Sequence, residues 1–552
     1  MFVKSRFRSA LAGLSFGALA LGLVLASQVQ AQTYTPLVNF STNQGGNGIA
    51  NPSSQIVTQG EDGEMYFTSV NGGFYGTFFK VSLGGTPKVL NDVGYYPNGG
   101  ATLGTDGYYY GVTFNQGGWG TIWKVSKAGK ETILYTFIGN GDGKNPVSSP
   151  IEGTNGLFYG TVPYGGANNY STAYSISSKG QFTLLHTFDP TSEGQQVQAN
   201  LVQGTDGNFY GMAPYGGANG DGTIFKMTPT GTVTVLHNFS GTDGETPWYG
   251  LVQASDGNFY GTTFNGGVYG AQGVVFQITP SGQYTKLHDV MPANGDGKGP
   301  GSVLTLGSDG KLYGVTASGN AGYAGTIFNI TTEGTFTTLY TFCQSGTCTD
   351  GYGPQSAIQQ NTNGIFYGTT SNGGDLSCGN DIGCGNAYSL DMGLEPFVKL
   401  VSTSGAEASK VGILGQAFDS ATTVEFGGVK ATKVTRSGST FLSATVPAGA
   451  LTGPVTVTTG SITLTAMQPF SVLPTCKSLS PKSGSVGSEV TIVGSGFDQT
   501  TGVSFSDGVA ASFTVVSDTE ITTTVPSGAK TGSITITTKG GSVVSKTVFK
   551  VE

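Results

Sequence analysis

The sequence predicts an all-β protein: a seven-bladed β-propeller followed by two immunoglobulin-like β-sandwich domains. Three observations indicate this fold, namely the glycine content, an aromatic motif that occurs seven times, and a change of pattern near residue 395. With 92 Gly among 552 residues, long helices are disfavoured, because each interior Gly costs a helix about 1 kcal/mol relative to Ala. The 11% content of aromatic residues also argues against a disordered chain.

The N-terminus has the three parts of a secretory signal peptide. Basic residues near the start precede an apolar stretch over about residues 11–26, and Val29 and Ala31 supply the small residues of a cleavage site. We therefore predict that residues 1–31 are removed after Ala31. A retained membrane anchor is the alternative, but the apolar stretch is short for a span of about 20 residues.

The charge of the predicted mature chain excludes one class of partner. Removal of this segment takes away three of the 25 basic residues and no acidic one, which leaves a net charge of −11. Binding of nucleic acid needs clustered Lys and Arg that neutralise phosphates, so we predict no nucleic acid partner. No later segment is apolar over a spanning length. We therefore predict a protein that is secreted or held at the cell surface, without a membrane span.

Five cysteines in an exported chain favour disulfides over metal ligands. Cys343 and Cys348 form one local pair in the sequence, Cys378 and Cys384 form a second, and Cys476 is left over. Four cysteines allow three pairings, and the sequence alone does not choose among them. A zinc site is the alternative, although four and five intervening residues are loose spacings for one.

An Asp-Gly or Asn-Gly pair followed by an aromatic run recurs along the chain, for example in Asp206-Gly207-Asn208-Phe209-Tyr210-Gly211. The glycine of the pair stands at positions 63, 107, 156, 207, 257, 310 and 364. Such pairs are strong signals for a tight hairpin, because the turn needs positive φ at both central residues. The hairpin, the Gly-rich loops and the apolar runs together predict four short strands in each copy.

The aromatic run indicates how these strands pack. Phe209 and Tyr210 are neighbours and so point to opposite faces of a strand, which requires that both faces are covered. Sheets packed between two other sheets meet this need, so seven copies predict a β-propeller over residues 32–394. Gly211 is expected to allow close approach of neighbouring sheets. A solenoid is the alternative, and it suits a unit of two hairpins poorly.

The segment before the first copy predicts how the ring closes. Residues 33–41 are similar to the outer strands of later copies, such as 134–137 and 339–342, whereas no outer strand follows residues 386–390 of the seventh copy. We therefore predict that residues 33–41 complete blade seven. This arrangement removes an exposed sheet edge and joins the two ends of the ring.

Beyond residue 395 the aromatic repeat ends, and two copies of another pattern occupy residues 395–472 and 474–552. Apolar and polar residues alternate regularly in both, as expected for half-exposed antiparallel strands. The second copy contains Pro481 and the run Val493-Gly494-Ser495-Gly496-Phe497. The first copy has Ser402 in place of Pro481, and a weaker glycine pattern. Each copy is long enough for a small β-sandwich.

Two resemblances follow from these motifs. Both C-terminal copies resemble the IPT/TIG immunoglobulin-like family, and the second copy does so more specifically. The aromatic repeat, above all residues 202–226 and 251–262, resembles the tandem repeat of secreted bacterial proteins described as choice-of-anchor GloVer-containing. That resemblance implies export and a repeat architecture, and it implies no defined activity. Many members of that family end in a sorting anchor, whereas this chain ends at Val551-Glu552, so such an anchor is not expected.

Histidine and carboxylate chemistry has little support. His186, His237 and His288 occupy the same place in three successive outer strands. Ligands converge within about 2.0–2.2 Å of a metal ion, whereas equivalent positions on different blades diverge, so we predict structural roles, no metal and no cofactor. Most Asp residues belong to turns, in which the carboxylate bonds local backbone amides. Calcium is the alternative for the Asp-bearing loops, although they lack the Asp density of calcium loops.

Aromatic residues in the loops are the better candidates for a binding site. The connections between the second and third strands, and those that lead to the next copy, lie at one end of a propeller. That end should carry Trp119, Tyr164, Tyr215, Trp248 and Phe264 beside Gly-rich backbone. Flat aromatic side chains offer a large stacking area at a low ordering cost. Packing between the loops is the alternative role.

These observations predict a secreted, non-catalytic binding or structural protein. Its propeller face would bind a polysaccharide or a cell-surface protein, and its immunoglobulin-like domains would act as spacer or adhesion units. The alternative is an extracellular polysaccharide hydrolase or lyase with a carboxylate pair near the propeller channel, since glycosidases place two carboxylates about 5–10 Å apart. The fold does not decide between them, because one fold hosts many functions. No catalytic residue is predicted.

Overall fold

The computed structural model describes residues 32–41, 48–72, 75–268, 272–318, 324–378 and 382–552. Regular structure in these residues is β throughout, apart from three short 3-10 turns at Ala167–Asn169, Pro292–Asn294 and Ser506–Gly508. The predicted all-β class is therefore confirmed. The predicted signal peptide with its cleavage site at Ala31 lies outside the described residues. Among the residues that are described, no helix has the length and apolar character to cross a membrane.

The described residues between 33 and 391 form β1 (Thr33–Asn39) and seven sheets. Sheet 1 contains β2 (Ile49–Pro52), β3 (Thr58–Gln59), β4 (Met65–Gly72), β5 (Thr77–Val81) and β6 (Pro87–Asp92). Sheet 2 contains β7 (Thr102–Leu103), β8 (Tyr109–Thr113), β9 (Thr121–Val125) and β10 (Glu131–Thr136). Sheet 3 contains β11 (Ile151–Glu152), β12 (Phe158–Val162), β13 (Thr172–Ile176) and β14 (Phe182–Thr187). Sheet 4 contains β15 (Val202–Gln203), β16 (Phe209–Ala213), β17 (Thr223–Met227) and β18 (Val233–Asn238).

The remaining three sheets follow the same plan. Sheet 5 contains β19 (Val252–Gln253), β20 (Phe259–Thr263), β21 (Val274–Ile278) and β22 (Tyr284–Asp289). Sheet 6 contains β23 (Lys298–Pro300), β24 (Thr305–Leu306), β25 (Leu312–Ser318), β26 (Thr326–Ile330) and β27 (Phe336–Thr341). Sheet 7 contains β28 (Gln359–Gln360), β29 (Phe366–Thr370) and β30 (Asn386–Asp391), together with β1.

Strands follow one another as antiparallel neighbours from an inner strand through a second and a third strand to an outer strand. In sheet 2, for example, the order is β7, β8, β9 and β10. In sheet 7 the outer position belongs to β1, which pairs antiparallel with β30. This pairing runs from Thr33 opposite Asp391 to Asn39 opposite Asn386. The first described strand and the last strand of the repeat region therefore share one sheet.

Asp206 shows why the repeated motif needs both its acid and its tyrosine. One carboxylate oxygen accepts the backbone N–H of Asn208 at 3.1 Å, and the other accepts the hydroxyl of Tyr210 at 2.8 Å. The same two bonds occur in four further copies, at Asp62, Asp106, Asp256 and Asp309. The expected turn role of these Asp residues is confirmed. The carboxylate also satisfies a Tyr hydroxyl that would otherwise be costly to bury.

The aromatic pair packs each sheet against both of its neighbours. The ring of Tyr210 stacks on Phe259 of sheet 5 with centroids 4.0 Å apart, and Phe209 stacks on Tyr159 of sheet 3 at 4.1 Å. Equivalent contacts join Tyr66 to Tyr109, Tyr110 to Phe158, and Tyr313 to Phe366. These rings are buried. The expectation that both faces of each sheet are covered is therefore confirmed.

Hydrophobic clusters connect the sheets in succession. The cluster between sheets 4 and 5, for example, combines Met212 and Ile224 with Phe276. Another cluster joins sheet 7 to sheet 1 and contains Phe79 and Ala387 together with Phe40. The last sheet of the repeat region therefore packs against the first.

The glycine after the aromatic pair has a different role from the one expected. Gly211 lies opposite Phe225 in the register of β16 and β17. A Cβ atom on Gly211 would lie 2.6 Å from Cζ of Phe225 and 2.8 Å from Leu201, a residue of the same sheet. Equivalent pairs are Gly111 with Trp123, Gly160 with Tyr174, Gly261 with Phe276, Gly314 with Phe328, and Gly368 with Tyr388. The glycine accommodates a ring of its own sheet rather than a neighbouring sheet.

Two disulfides close short loops. Cys343 is bonded to Cys348, and Cys378 is bonded to Cys384. The structure thus selects the local pairing among the three that the sequence left open. The second disulfide is buried in the cluster between sheets 7 and 1, whereas Cys476 is unpaired and half-buried.

Two units follow the repeat region. The first C-terminal unit contains β31 (Lys399–Leu400), β32 (Ser404–Ala406), β33 (Lys410–Leu414), β34 (Thr423–Phe426), β35 (Val429–Lys430), β36 (Val434–Ser437), β37 (Phe441–Thr445), β38 (Val455–Thr459), β39 (Ile462–Thr465) and β40 (Ser471–Leu473). The second C-terminal unit contains β41 (Thr475–Ser480), β42 (Ser483–Gly484), β43 (Glu489–Ser495), β44 (Thr500–Phe505), β45 (Val509–Ala511), β46 (Phe513–Ser517), β47 (Glu520–Thr524), β48 (Thr535–Thr538), β49 (Gly541–Val544) and β50 (Lys550–Val551).

The two C-terminal units share one topology. The order β31, β33, β37, β36 in the first is matched by β41, β43, β47, β46 in the second, and the other two sheets of each unit also correspond strand for strand. Each unit has its own apolar core. The rings of Phe426 and Phe470 meet edge to face at 5.1 Å in the first core, and Phe505 and Phe549 do so at 5.4 Å in the second.

A carboxyl pair between these units makes their stability depend on pH. Burial, followed by a hydrogen bond with Asp518, raises the pKa of Glu407 from 4.5 to about 7. The folded chain therefore binds this proton more tightly than the unfolded chain. We expect the free energy of unfolding to fall between about pH 4.5 and pH 7, by roughly 1 kcal/mol after allowance for solvent access.

Thermal melting of Glu407→Gln, compared with the unaltered protein, tests this expectation. The amide mimics the protonated acid, so the two proteins should melt alike near pH 5, and the variant should melt higher near pH 8. Glu489→Gln is the control, because Glu489 is an exposed residue of the second unit. An advantage of Glu407→Gln that does not grow with pH would contradict the assignment.

Candidate functional site

The described loop residues at one end of the seven sheets are called the loop face. They belong to the connections between the second and third strands and to the entry loops, each of which leads from one outer strand to the next inner strand. Short antiparallel bridges join the entry loop of a sheet to the connection within that sheet. They pair Lys144 with Tyr164, Gln195 with Tyr215, Glu245 with Asn265, and Tyr352 with Asn372.

A left-handed residue stands in or at the end of each entry loop, and in four sheets its backbone N–H donates to the preceding sheet. The φ angle lies between 49° and 63° at Asn51, Tyr96, Asn145, Gln196, Thr246, Gly299 and Gly353. The backbone N–H of Asn145 donates to the backbone oxygen of Trp119 at 2.7 Å, and that of Thr246 donates to the backbone oxygen of Asp221 at 3.1 Å. A left-handed conformation costs a residue with a side chain roughly 1–2 kcal/mol, and these hydrogen bonds offset it. The loop face therefore rests on backbone that is fixed from sheet to sheet.

Trp119 is the most exposed of the five aromatic residues predicted to bind ligand. It lies between β8 and β9, and 45% of its surface is exposed. The ammonium of Lys144 lies 5.1 Å from the centre of its ring. One face of the indole is therefore supported by a cation, in a contact that stabilises by roughly 0.5–1 kcal/mol at exposed sites.

The other four predicted aromatic residues are half-buried in the loop face. Tyr215 and Trp248 meet edge to face at 5.6 Å. Burial, followed by the electrostatic effect of Tyr215, raises the pKa of Tyr164. Phe264 packs against Gly299, at which a Cβ atom would lie 2.8 Å from the Phe264 ring. The structure thus brings Tyr215 and Trp248 into contact, while Phe264 supports another entry loop.

Three exposed tyrosines that were not among the five predicted aromatic residues belong to the same face. Tyr75 is 51% exposed, Tyr95 is 37% exposed and Tyr96 is 45% exposed. Tyr75 and Tyr95 stack with centroids 3.8 Å apart, and Tyr96 meets Phe114 edge to face at 6.5 Å. A hydrogen bond with Tyr75 raises the pKa of Tyr95. These three tyrosines and Trp119, which are exposed aromatic residues in the loops of sheets 1 and 2, are called the aromatic platform.

A sequence pattern in the entry loops distinguishes two of these tyrosines, Tyr95 and Tyr96. The entry loops of sheets 2, 3, 5, 6 and 7 share a Gly-x-x-Pro pattern, such as Gly143-Lys144-Asn145-Pro146. Sheet 2 has Gly94-Tyr95-Tyr96-Pro97, with two aromatic residues where Gly244-Glu245-Thr246-Pro247 has polar ones. An alignment of the entry loops themselves would have found this exception.

The three histidines pair with acids of the entry loops. The Nε2 atom of His186 lies 2.7 Å from a carboxylate oxygen of Glu193. The corresponding distances are 3.0 Å from His237 to Asp243 and 2.9 Å from His288 to Asp296. Burial lowers the pKa of His237, although Asp243 acts in the opposite direction. Each pair holds an outer strand against its entry loop, in agreement with a structural role.

In two other sheets a tyrosine takes the position of the histidine, and it also forms a hydrogen bond with an acid of the entry loop. The hydroxyl of Tyr135 donates to Asp142 at 2.9 Å, and that of Tyr340 donates to Asp350 at 2.7 Å. Asp142 also accepts the backbone N–H of Ile138 at 3.0 Å. Within the described residues, no group of three or more His, Cys, Asp or Glu is placed to hold a metal ion.

The inner edges of the sheets meet through backbone and small polar side chains. The backbone N–H of Ala357 donates to the backbone oxygen of Ser54 at 3.0 Å, and that of Ile56 donates to the backbone oxygen of Gly99 at 3.1 Å. The Ser149 hydroxyl donates to the backbone oxygen of Gly100 at 2.8 Å. None of these contacts uses a carboxylate.

Among acids near the inner strands, Glu152 accepts both the backbone N–H and the hydroxyl of Thr105 at 2.7 Å, so it links sheets 2 and 3. Burial raises the pKa of Glu152.

The first C-terminal unit contacts the opposite end of the sheets, where the Asp-Gly turns lie. Thr440 donates its hydroxyl to the backbone oxygen of Glu61 at 2.7 Å. Gln416 donates to the Thr362 hydroxyl at 3.0 Å, and the backbone N–H of Phe397 donates to the Thr362 carbonyl at 3.0 Å. None of these contacts involves a residue of the loop face.

Family comparison bears on the repeat region and on the second C-terminal unit. The model of the Gloeobacter/Verrucomicrobia repeat matches residues 14–203 and 153–382, which together are more than half of the chain. The chain belongs to the Gloeobacter/Verrucomicrobia repeat family. Residues 474–551 of this repeat protein match the IPT/TIG domain. No curated protein matches the chain.

The following solved structures are distant likenesses of this Gloeobacter/Verrucomicrobia repeat protein. A fungal alcohol oxidase of the AA5 family, solved with copper, is 13% identical over 94% of this chain and 99% of its own, with a TM-score of 0.41. A putative 6-phosphogluconolactonase from Bacteroides uniformis is 16% identical over 54% of this chain and 86% of its own, with a TM-score of 0.38. A surface glycan-binding protein from Prevotella bryantii is 21% identical over 28% of this chain and 41% of its own, with a TM-score of 0.22. None of these likenesses bears on the function.

Proposed function

We propose that residues 32–394 form a closed seven-bladed β-propeller and that residues 395–472 and 474–552 form two IPT/TIG immunoglobulin-like domains. The cluster between sheets 7 and 1 and the pairing of β1 with β30 support the closed ring. The common strand order of the two C-terminal units supports a second domain of the type that matches residues 474–551.

We propose further that the protein is exported after cleavage at Ala31 and acts outside the cell or at its surface, as a member of the choice-of-anchor GloVer group. The two disulfides support an oxidising compartment, because such bonds are rare in the cytosol.

The proposed activity is binding, with no chemical turnover, of an extracellular polysaccharide at the loop face. The aromatic platform carries this proposal, since Tyr75, Tyr96 and Trp119 each expose 45% or more of their surface. Large aromatic side chains that remain in water are costly to leave unpartnered, and they are enriched where a ligand covers them. Tyr and Trp also supply rigid contact area with a polar edge, which matches the apolar faces and hydroxyl rim of a sugar ring.

The arrangement of the chain favours this use of the loop face. The first C-terminal unit contacts the turn end of the sheets through Thr440 and Gln416, so the two proposed IPT/TIG domains extend from that end. They would hold the propeller away from a surface and present the platform outward. A cell-surface protein is the other partner class that this geometry serves.

Binding of Trp119→Ala and Tyr95→Ala to a panel of immobilised extracellular polysaccharides tests the proposal. We expect each variant to bind its polysaccharide about tenfold more weakly than the unaltered protein, since truncation of a central aromatic contact costs roughly 1–2 kcal/mol. Ile138→Ala is the matched control, because Ile138 is 65% exposed in an entry loop but carries no ring. It should bind normally.

Two outcomes would overturn the proposal. Absence of binding to every polysaccharide, with the protein folded, would exclude this ligand class. Release of sugar fragments that a single Asp or Glu substitution abolishes would establish the hydrolase or lyase alternative instead.

A further inference from the structure

The turn end of the sheets, away from the loop face, borders a cavity. A cavity of about 180 Å3 separates the inner strands of sheets 5 to 7 from the first C-terminal unit. One wall is apolar and comes from the inner strands, through Val252, Leu304 and Leu306. The facing wall also carries apolar residues, and these come from the C-terminal unit: Phe397, Leu400 and Met467.

Among the described residues that line this cavity, Lys399 is the one with a charged side chain. It stands in β31 between Val398 and Leu400, both of which are buried. Within the described residues it forms no ion pair and no hydrogen bond through its side chain. Burial, with no opposing contribution from a carboxylate, lowers the pKa of Lys399. By its exposed surface Lys399 is half-buried, so its ammonium is partly shielded from water, and an anion that enters the cavity would supply the charged partner that it lacks.

The polar groups around the cavity divide into two sets. Gln360 is already used in the fold, since its amide donates to Ser308 at 3.0 Å and to Gly364 at 2.9 Å. The side chains of Thr403 and Gln468, which stand on the C-terminal unit beside Lys399, make no hydrogen bond within the described residues. An ammonium, a hydroxyl and an amide N–H are therefore available to an acceptor on the same wall.

We propose that this cavity binds a small organic monoanion, a carboxylate borne by a single aromatic ring or a short hydrocarbon chain. The carboxylate would pair with Lys399 and accept hydrogen bonds from Thr403 and Gln468. The hydrocarbon part would lie between Leu304, Leu306 and Met467. The size is suitable, because an apolar cavity of about 150 Å3 accommodates benzene. One ammonium balances one carboxylate, whereas a phosphate dianion would leave a buried charge unmatched.

Benzoate is the probe, and the full chain with 13C-labelled methionine methyl groups is the sample. The chain has seven methionines, and Met467 lines the cavity, so its methyl resonance should shift in saturable proportion to added benzoate. Lys399→Met should weaken the binding at least about tenfold, as expected for loss of a charged hydrogen bond. Lys410→Met is the matched control, because Lys410 is exposed on the neighbouring strand β33. It should bind benzoate as the unaltered protein does.

Three further results decide the chemistry. Benzyl alcohol and inorganic phosphate should each bind much more weakly than benzoate, because each lacks one of the two required parts. Equal binding of benzyl alcohol, equal binding of phosphate, or unchanged binding by Lys399→Met would each overturn the proposal. Should Lys399→Met not fold, Leu306→Trp, which fills the cavity and keeps both Lys399 and the Met467 reporter, must abolish the benzoate-induced shift. Retained binding in that variant would refute the site, and polysaccharide binding at the loop face is unaffected by either result.

Discussion

Deletion of residues 33–41 should lower the melting temperature of the protein by about 10 °C or more. The segment supplies β1, which is the outer strand of sheet 7. It also brings Phe40 into the cluster between sheets 7 and 1, where the side chain is fully buried. Loss of a buried Phe side chain costs about 3–5 kcal/mol, and each kcal/mol lowers the melting temperature of a large domain by roughly 2–4 °C.

A second contact of β1 adds to the expected effect. The ring of Tyr34 stacks on Tyr340 with centroids 3.9 Å apart, and its hydroxyl donates to the backbone oxygen of Asp350 at 2.7 Å. Tyr340 and Asp350 belong to sheet 6 and to the entry loop of sheet 7. One short segment therefore binds sheet 7 to both of its neighbours, and its removal opens the proposed ring on two sides.

Point variants separate this contribution from the effect of a shorter chain. Phe40→Ala should reproduce much of the loss in a thermal melt followed by circular dichroism. Thr35→Ala should melt normally, because Thr35 is exposed on the same strand. A deletion variant that melts like the unaltered protein would refute the closure of the ring by β1.

The sequence was informative about the repeat because the same physical need recurs in every copy. Asp206 must satisfy a turn amide and the hydroxyl of Tyr210, and Tyr210 must cover Phe259 of the next sheet. These needs are local in sequence or separated by one repeat. A pattern of fixed spacing therefore records them, and the turns, the buried aromatic pairs and the IPT/TIG resemblance of residues 474–551 could all be predicted.

The candidate sites depend on contacts that no fixed spacing records. Trp119 and Phe264 are both aromatic loop residues, yet Trp119 remains 45% exposed while the ring of Phe264 packs on Gly299. Their exposure differs because a different entry loop lies beside each ring. Lys399 reaches its cavity only because the first C-terminal unit contacts the turn end of the sheets. Such contacts between distant segments leave no periodic signal.

Gly211→Val should destabilise the protein by about 3 kcal/mol without any change in the loop face. A Cβ atom on Gly211 would lie 2.6 Å from the ring of Phe225 and 2.8 Å from Leu201. Phe225 is fully buried and Leu201 nearly so, and thus neither side chain can move into solvent. Overpacking of a dense core costs roughly 1–3 kcal/mol, and Val adds two further methyl groups to the conflict. Denaturant unfolding of the two proteins measures the difference.

A double-mutant cycle with Phe225→Ala identifies the ring as the cause. Phe225→Ala alone should cost several kcal/mol, because it leaves a cavity. When Phe225→Ala is already present, Gly211→Val should cost much less, because the new side chain then occupies the space of the ring. Gly84→Val is the control, since no atom lies within 4 Å of a Cβ at Gly84. Additive losses in the cycle, or an equal loss at Gly84, would show that the glycine serves backbone flexibility rather than the packing of its facing ring.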